Sequence, residues 1–259
     1  MPLPPLPDGP LCLENVTVPS ASLDGGEGLV TTTLCIDGAI VAKAPGATVV
    51  DMGGAMVFPG FVDMHTHLDK GHISPRSPNP DGSFDGAIMA VRRDATARWS
   101  AEDVRARMTF SLRSAYAYGT RAIRTHLDSH APQDAISWGV FKEVRADWAD
   151  RMALQAACLV ACPYALEPEF AKTADIVAEA GGVLGMVTYP SADLQAQIDA
   201  FFEAAEARDL HADFHVDEIL DPEVNTLKAI AQTVIQRGYP HPVTVARLFL
   251  PSPKASKDA

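Results

Sequence analysis

The sequence predicts an α/β fold: a (β/α)8 TIM-type barrel, incomplete at about five to six strands, with an N-terminal β-sandwich segment. Three observations lead there. From residue 56 onward, short apolar runs alternate with helix-length amphipathic segments, the rhythm of parallel strands joined by helical crossovers. Residues able to bind metal stand at the C-terminal ends of several different runs, where barrel enzymes place their chemistry. No G-x-G-x-x-G follows the first run and no P-loop occurs, so an open nucleotide-binding sheet loses support.

Residues 1–56 read as one part of a small β-sandwich lobe. Segments 11–18, 29–36 and 39–41 carry β-branched residues, and Asp24-Gly25-Gly26 and Asp37-Gly38 supply turns between them. Residues 57–245 read as the partial barrel. The apolar run 56–64 is expected to be its first, buried strand, followed by a Pro-rich loop over 74–84. Helical patterns cover 84–99 and 100–118, the second with Ser100 as N-cap, and Gly119 ends it. Further strands are expected at 120–126, 152–162, 183–188, 210–216 and from 242. Helices are expected at 132–150, 168–180, 191–208 with Ser191 as cap, and 222–237. Residues 246–259 are Pro-, Ser- and Lys-rich and aperiodic, and read as an aberrant or disordered tail.

Composition narrows the function. A formal net charge of −12 over 259 residues, with no basic stripe, argues against a nucleic-acid partner and against docking to an anionic membrane. No apolar stretch reaches the roughly 20 residues that cross a bilayer. The N-terminus lacks the basic region and long apolar run of a secretory signal, so a cytoplasmic protein is expected. Cys12, Cys35, Cys158 and Cys162 form no C-x-x-C pair and are too few for a disulfide scaffold at this length. Cys158 and Cys162, four apart in an apolar run, read as small core residues.

The chemistry concentrates in two places. His65 and His67 end the first apolar run at positions i and i+2, so their imidazoles emerge on one face. Neutral imidazole is the commonest protein ligand for zinc-like ions, so the pair reads as half a metal site, against two unrelated surface histidines. The fifth strand presents His211, Asp213 and His215 on one face, with His215 at its C-terminal rim. Three histidines with one open position make a catalytic arrangement. Glu218, three residues beyond His215, is placed to take a proton from a metal-activated water.

The stretch from Pro59 to Asp69, PGFVDMHTHLD, resembles the first-strand signature of the amidohydrolase superfamily. His215-Val216-Asp217-Glu218 resembles the H-x-D-E segment of its cytosine deaminase-like branch, and Arg124-Thr125-His126-Leu127-Asp128 resembles that branch's R-T-H-x-D segment. The resemblance implies a hydrolase holding one divalent metal ion, zinc or iron. Metal ligands would be His65, His67 and His215, with Glu218 as catalytic proton shuttle. Arg124, His126, Asp69 and Asp217 would bind substrate or support the ligands from behind, although Arg124 and His126 also suit structural hydrogen bonding at the barrel mouth and Asp69 and Asp217 also suit helix capping. The implied reaction is hydrolytic deamination of cytosine or a related small nitrogen heterocycle. Hydrolysis of a cyclic amide or an N-alkyl triazine is the alternative within enzymes, and a non-catalytic barrel fragment the alternative outside them. The fourth strand, 185–190, offers no lysine to bridge two metals, which favours one ion.

The chain departs from this pattern in three respects. Residues 159–164 hold no glutamine, where a cytosine deaminase would grip the base, which argues against cytosine itself. No histidine follows His241, and the aspartate the family takes from its eighth strand as a metal ligand has no counterpart. The expectation is therefore a C-terminally truncated, inactive or nearly inactive product. Its open strand edges favour association with another chain or a homo-oligomer. Lys70, His72, His130 and His241 read as ordinary surface or loop residues, His211 as a core histidine, and Trp99, Trp138 and Trp148 as packing.

Overall fold

A computed structural model describes residues 6–23, 25–218, 221 and 223–246. The chain divides into two compact units between Gly60 and Phe61. The expected tail, apart from Ala246, lies outside the described residues.

Among the described residues the first unit holds one four-stranded sheet. Its strands are β1 (Leu11–Pro19), β2 (Leu29–Asp37), β3 (Ala39–Val41) and β4 (Thr48–Asp51), in the order β3-β2-β1-β4. Leu11, Leu13, Val16, Val18 and Leu34 form a small core on it. Cys12 and Cys35 face one another across β1 and β2 and form a disulfide, a pairing that the cysteine count alone did not predict.

The second unit carries six parallel strands: β5 (Phe61–Thr66), β6 (Thr120–Asp128), β7 (Ala153–Leu159), β8 (Leu184–Val187), β9 (Ala212–His215) and β10 (Val243–Ala246). They form two ladders, β5-β6-β7 and β8-β9-β10, with bridges Ala157–Val183 and Ala161–Val187 linking β7 to β8. The sheet order is thus the chain order, as in the opening strands of a barrel. The array is curled. Arg124 on β6 reaches Asp213 on β9 and Thr244 on β10 at 3.4 and 3.0 Å. A flat sheet with strands about 4.8 Å apart would hold β6 and β9 roughly 14 Å from each other. Among the described residues β5 and β10 each pair on one side only, so no closed barrel forms.

The first barrel strand differs from expectation. It starts at Phe61, and Phe61, Val62 and Met64 are 63, 70 and 64% exposed. Their apolar character matches a buried strand, but β5 is an edge. A bulge also interrupts it: three residues from Asp63 to Thr66 advance against two from Ile123 to Thr125. Bulges re-aim side chains, and this one contains His65 and lies just before His67.

Six helices cover the outer face: α1 (Phe84–Arg98), α2 (Ala101–Ala117), α3 (Gln133–Asp147), α4 (Glu169–Glu179), α5 (Leu194–Glu206) and α6 (Thr226–Arg237). The Ser100 hydroxyl accepts a bond from the Asp103 N–H, capping α2 as expected. Ser191 does not cap α5, whose first residue is Leu194; its hydroxyl lies against Gln197 instead. α6 starts at Thr226 behind the cap Asn225. Gly119, at φ +90°, turns the chain from α2 into β6. β7 stops at Leu159, and the run into Pro163 becomes a 3-10 turn over Cys162–Leu166, since proline cannot donate to a ladder.

The core lies between strands and helices. Trp138, Phe141, Phe201, Phe202 and Phe214 are fully buried, and Phe201 and Phe202 of α5 pack on Phe214 of β9 with centroids at 4.6 and 5.7 Å. Trp99, Trp138 and Trp148 all lie in this core. Gly185 lets β8 approach β7: a Cβ there would meet the Cys158 carbonyl oxygen at 2.1 Å.

Candidate metal centre

The curled strands bring four imidazoles together. His65 lies in the bulged end of β5 and His67 follows the strand's last residue, Thr66, their ring centroids 5.4 Å apart. His215 is the last residue of β9, with centroids 4.7 Å from His65 and 5.8 Å from His67. His126 on β6 joins them, 4.4 Å from His65 and 4.6 Å from His215. Each can offer one nitrogen such that all four lie within 4.8 Å of one another. His126, expected only to support the ligands or the substrate, therefore stands inside the cluster.

Burial leaves this group short of partners. Nδ1 of His67, Nδ1 of His126 and both ring nitrogens of His215 are buried with no hydrogen bond to any described residue. Unsatisfied buried polar atoms are costly and call for a ligand. Burial also lowers the imidazole pKa, to about 2 for His67 and about 3 for His215, with the nearby charge of Lys70 adding to it in both. Burial lowers His65 as well. These rings are neutral lone-pair donors at pH 7, as a divalent cation requires. A tetrahedral ion with bonds of about 2.1 Å would hold its nitrogens roughly 3.4 Å apart, so the group fits after a small closure of side chains.

Around the cluster lies a set of carboxylates. Asp213 sits 3.0 Å from Nε2 of His126 and 3.4 Å from Arg124. Arg124 is further held by Gln155 at 2.7 Å. Glu218 is half-buried, its Oε1 has no partner, and burial raises its pKa while the charge of Lys70 pulls it back. Asp69 is fully buried and accepts the Asp128 N–H at 2.8 Å; burial and then the Asp128 charge push its carboxyl up. Asp217 accepts from both the N–H and the hydroxyl of Thr226, at 2.6 and 2.8 Å, and so anchors the start of α6.

Several residues depart from the sequence expectation. Lys70 is not a free surface charge: it pairs with Asp128 at 2.7 Å beside the cluster. His130 lines a cavity over the strand ends instead of lying idle. His211 is exposed, outside β9, and stacks on His241 with centroids 5.4 Å apart. His72, by contrast, is an ordinary residue as expected: its Nε2 hydrogen-bonds the Ser111 hydroxyl, and it is not in the histidine cluster. Asp213 was named only as a face-mate of His215; that same period-2 relationship was the signal for its inward position.

Comparison with known proteins gives a consistent picture. Residues 48–147 match the family described as Amidohydrolase family. A pterin deaminase of Rhizobium rhizogenes (strain K84 / ATCC BAA-868) is 50% identical over 245 residues, 90% of this chain and 56% of that protein. The solved N-isopropylammelide isopropylaminohydrolase of Burkholderia multivorans superposes with a TM-score of 0.71 at 24% identity, covering 92% of this chain and 60% of the other. For the 5-methylcytosine deaminase of Klebsiella pneumoniae liganded with 5-fluorocytosine the TM-score is 0.70 at 21% identity, covering 91% and 58%. At such identities the structural likeness concerns the α/β fold. The chain spans just over half the length of the curated relatives it matches.

Proposed function

Because this chain belongs to the amidohydrolase superfamily, we propose that its histidine cluster holds one divalent metal ion and serves the hydrolytic deamination of a nitrogen heterocycle, a pterin before cytosine. The observation that carries the reading is the meeting of His65, His67, His126 and His215, with buried unpartnered nitrogens, beside the unpartnered Glu218 oxygen. The pterin class is favoured by the 50% identity to a pterin deaminase. The lack of a glutamine over 159–164 points the same way, away from cytosine.

His65, His67 and His215 would hold the ion, with His126 as a further nitrogen donor beside them. A bound divalent ion lowers the pKa of water and polarises the ring carbon under attack. The protein supplies the proton traffic and the positioning. Glu218 takes a proton from the attacking water and gives it to the ring nitrogen, then carries the remaining hydroxyl proton to the exocyclic nitrogen, which leaves as ammonia while the ring carbon keeps the oxygen as a carbonyl. Burial raises the Glu218 pKa, which makes its carboxylate a stronger base toward the water proton. Asp213 holds the His126 ring, and Asp128 anchors Lys70 where its charge reaches Glu218.

The test is ammonia release from pterin by the zinc-loaded chain, beside the same preparation of Glu218→Gln. Turnover that the substitution abolishes supports the reading. Metal binding without any turnover on pterin, cytosine or an N-alkyl triazine would favour the non-catalytic alternative.

A further inference from the structure

Building on the heterocycle reading of this site, we propose that Arg92 is a specificity-determining residue that selects substrates bearing an acidic substituent. A cavity of about 150 Å3 opens over the C-terminal ends of β6, β7 and β8, on the rim that also carries His65, His67 and His215. Its apolar lining includes Leu159, Val160 and Val187, and it has an aromatic wall in Tyr189 and His130. Lys70 and Asp128 form its polar edge, three residues beyond His67 and at the end of β6. Flat, partly polar rings suit such a surface.

A second cavity of about 420 Å3, reaching Trp99 and Gln133, shares Val91, Arg92, Asp128 and His130 with the first. The two adjoin at Arg92 and together fall in the roughly 300–1,000 Å3 range of small-molecule sites. A ring in the smaller cavity would direct a substituent past Arg92 into the larger.

Charge decides what that substituent is. Lys70 and Asp128 cancel across 2.7 Å. Burial lowers the pKa of His130, which leaves it neutral at pH 7. Arg92 makes no ion pair or side-chain hydrogen bond with any described residue, so its guanidinium is the one uncompensated charge of the two linings. Its charge is felt by both His130 and Tyr189, which places it at the cavity and not away from it. In a chain of net charge −12 an anion is otherwise disfavoured, so a cation left unpaired at this point favours acidic ligands locally. The planar guanidinium matches a carboxylate in a two-bond fork.

The experiment measures binding of two fluorescent probes, pterin and pterin-6-carboxylate, to the full chain, to Arg92→Met and to Arg92→Lys, with circular dichroism confirming each fold. The native chain is expected to prefer the carboxylate by about tenfold. Arg92→Met should bring the ratio to about one and Arg92→Lys should keep part of it. Raising the salt concentration should narrow the native preference, as for any partly exposed ion pair. Equal binding of both probes by the native chain, or a preference that survives Arg92→Met, would overturn the role of Arg92 and leave the heterocycle site standing. Failure of the native chain to bind either probe would overturn both.

Discussion

Asp213 on β9 lies 3.0 Å from Nε2 of His126 on β6, 87 residues earlier in the chain, and both side chains are buried. A carboxylate on Nε2 holds the proton there and leaves Nδ1, buried and without a partner among the described residues, as the open lone pair. Carboxylate–histidine pairs of this kind orient rings around metals and raise their donor strength.

Asp213→Asn should therefore weaken metal binding by about 10- to 100-fold, because the amide cannot hold the same proton arrangement. Competition with a chromophoric zinc chelator measures this directly. Affinity equal to that of the native chain would show that the His126 ring needs no anchor.

Glu218→Gln should leave zinc affinity close to native and lower turnover by about 10²–10⁴-fold, the range for a positioned proton-transfer group. Zinc content and ammonia release, measured on one preparation, separate the two effects. A matched loss of both would assign Glu218 to holding the ion.

The four cysteines divide by environment. Cys12 and Cys35 are joined, while Cys158 and Cys162 are free and buried. Burial pushes the Cys158 thiol up to about 12, so it carries almost no thiolate at neutral pH. A thiol reagent should find none in the native chain and two after denaturation without reductant, matching the two free cysteines. Four reactive thiols would rule out the Cys12–Cys35 bond.

Asp103 sets an acid limit on stability. Hydrogen bonds from Arg76, then from Arg107, hold its carboxyl at about 2 against the ordinary 3.8. A folded pKa below the unfolded one contributes stability that is fully present above about pH 4 and is lost as pH falls through about 2. Thermal melts of the native chain should lose stability across that window more steeply than those of Asp103→Asn. Parallel curves would show that the Arg76–Asp103 link, which ties the loop before α1 to α2, adds nothing.

Local pattern in the sequence carried the alternation of strands and helices, because each apolar run is short and each helix has its own period and caps. Ser100 and Gly119 mark their boundaries from side-chain and backbone chemistry alone. The same logic placed His65, His67 and His215 at strand ends, since alternation along a strand is a property of neighbours. Tertiary structure decided everything that depends on curvature and pairing. Whether the apolar run at Phe61–Thr66 is buried depends on a partner on each side, and β5 has one. The entry of His126 into the cluster, its hold by Asp213 and the meeting of Arg92 with His130 at one cavity all follow from the curl of six strands. The Cys12–Cys35 bond likewise depends on the β1–β2 register. Periodicity says which way a side chain points; only the closure of strands far apart in sequence says what it meets.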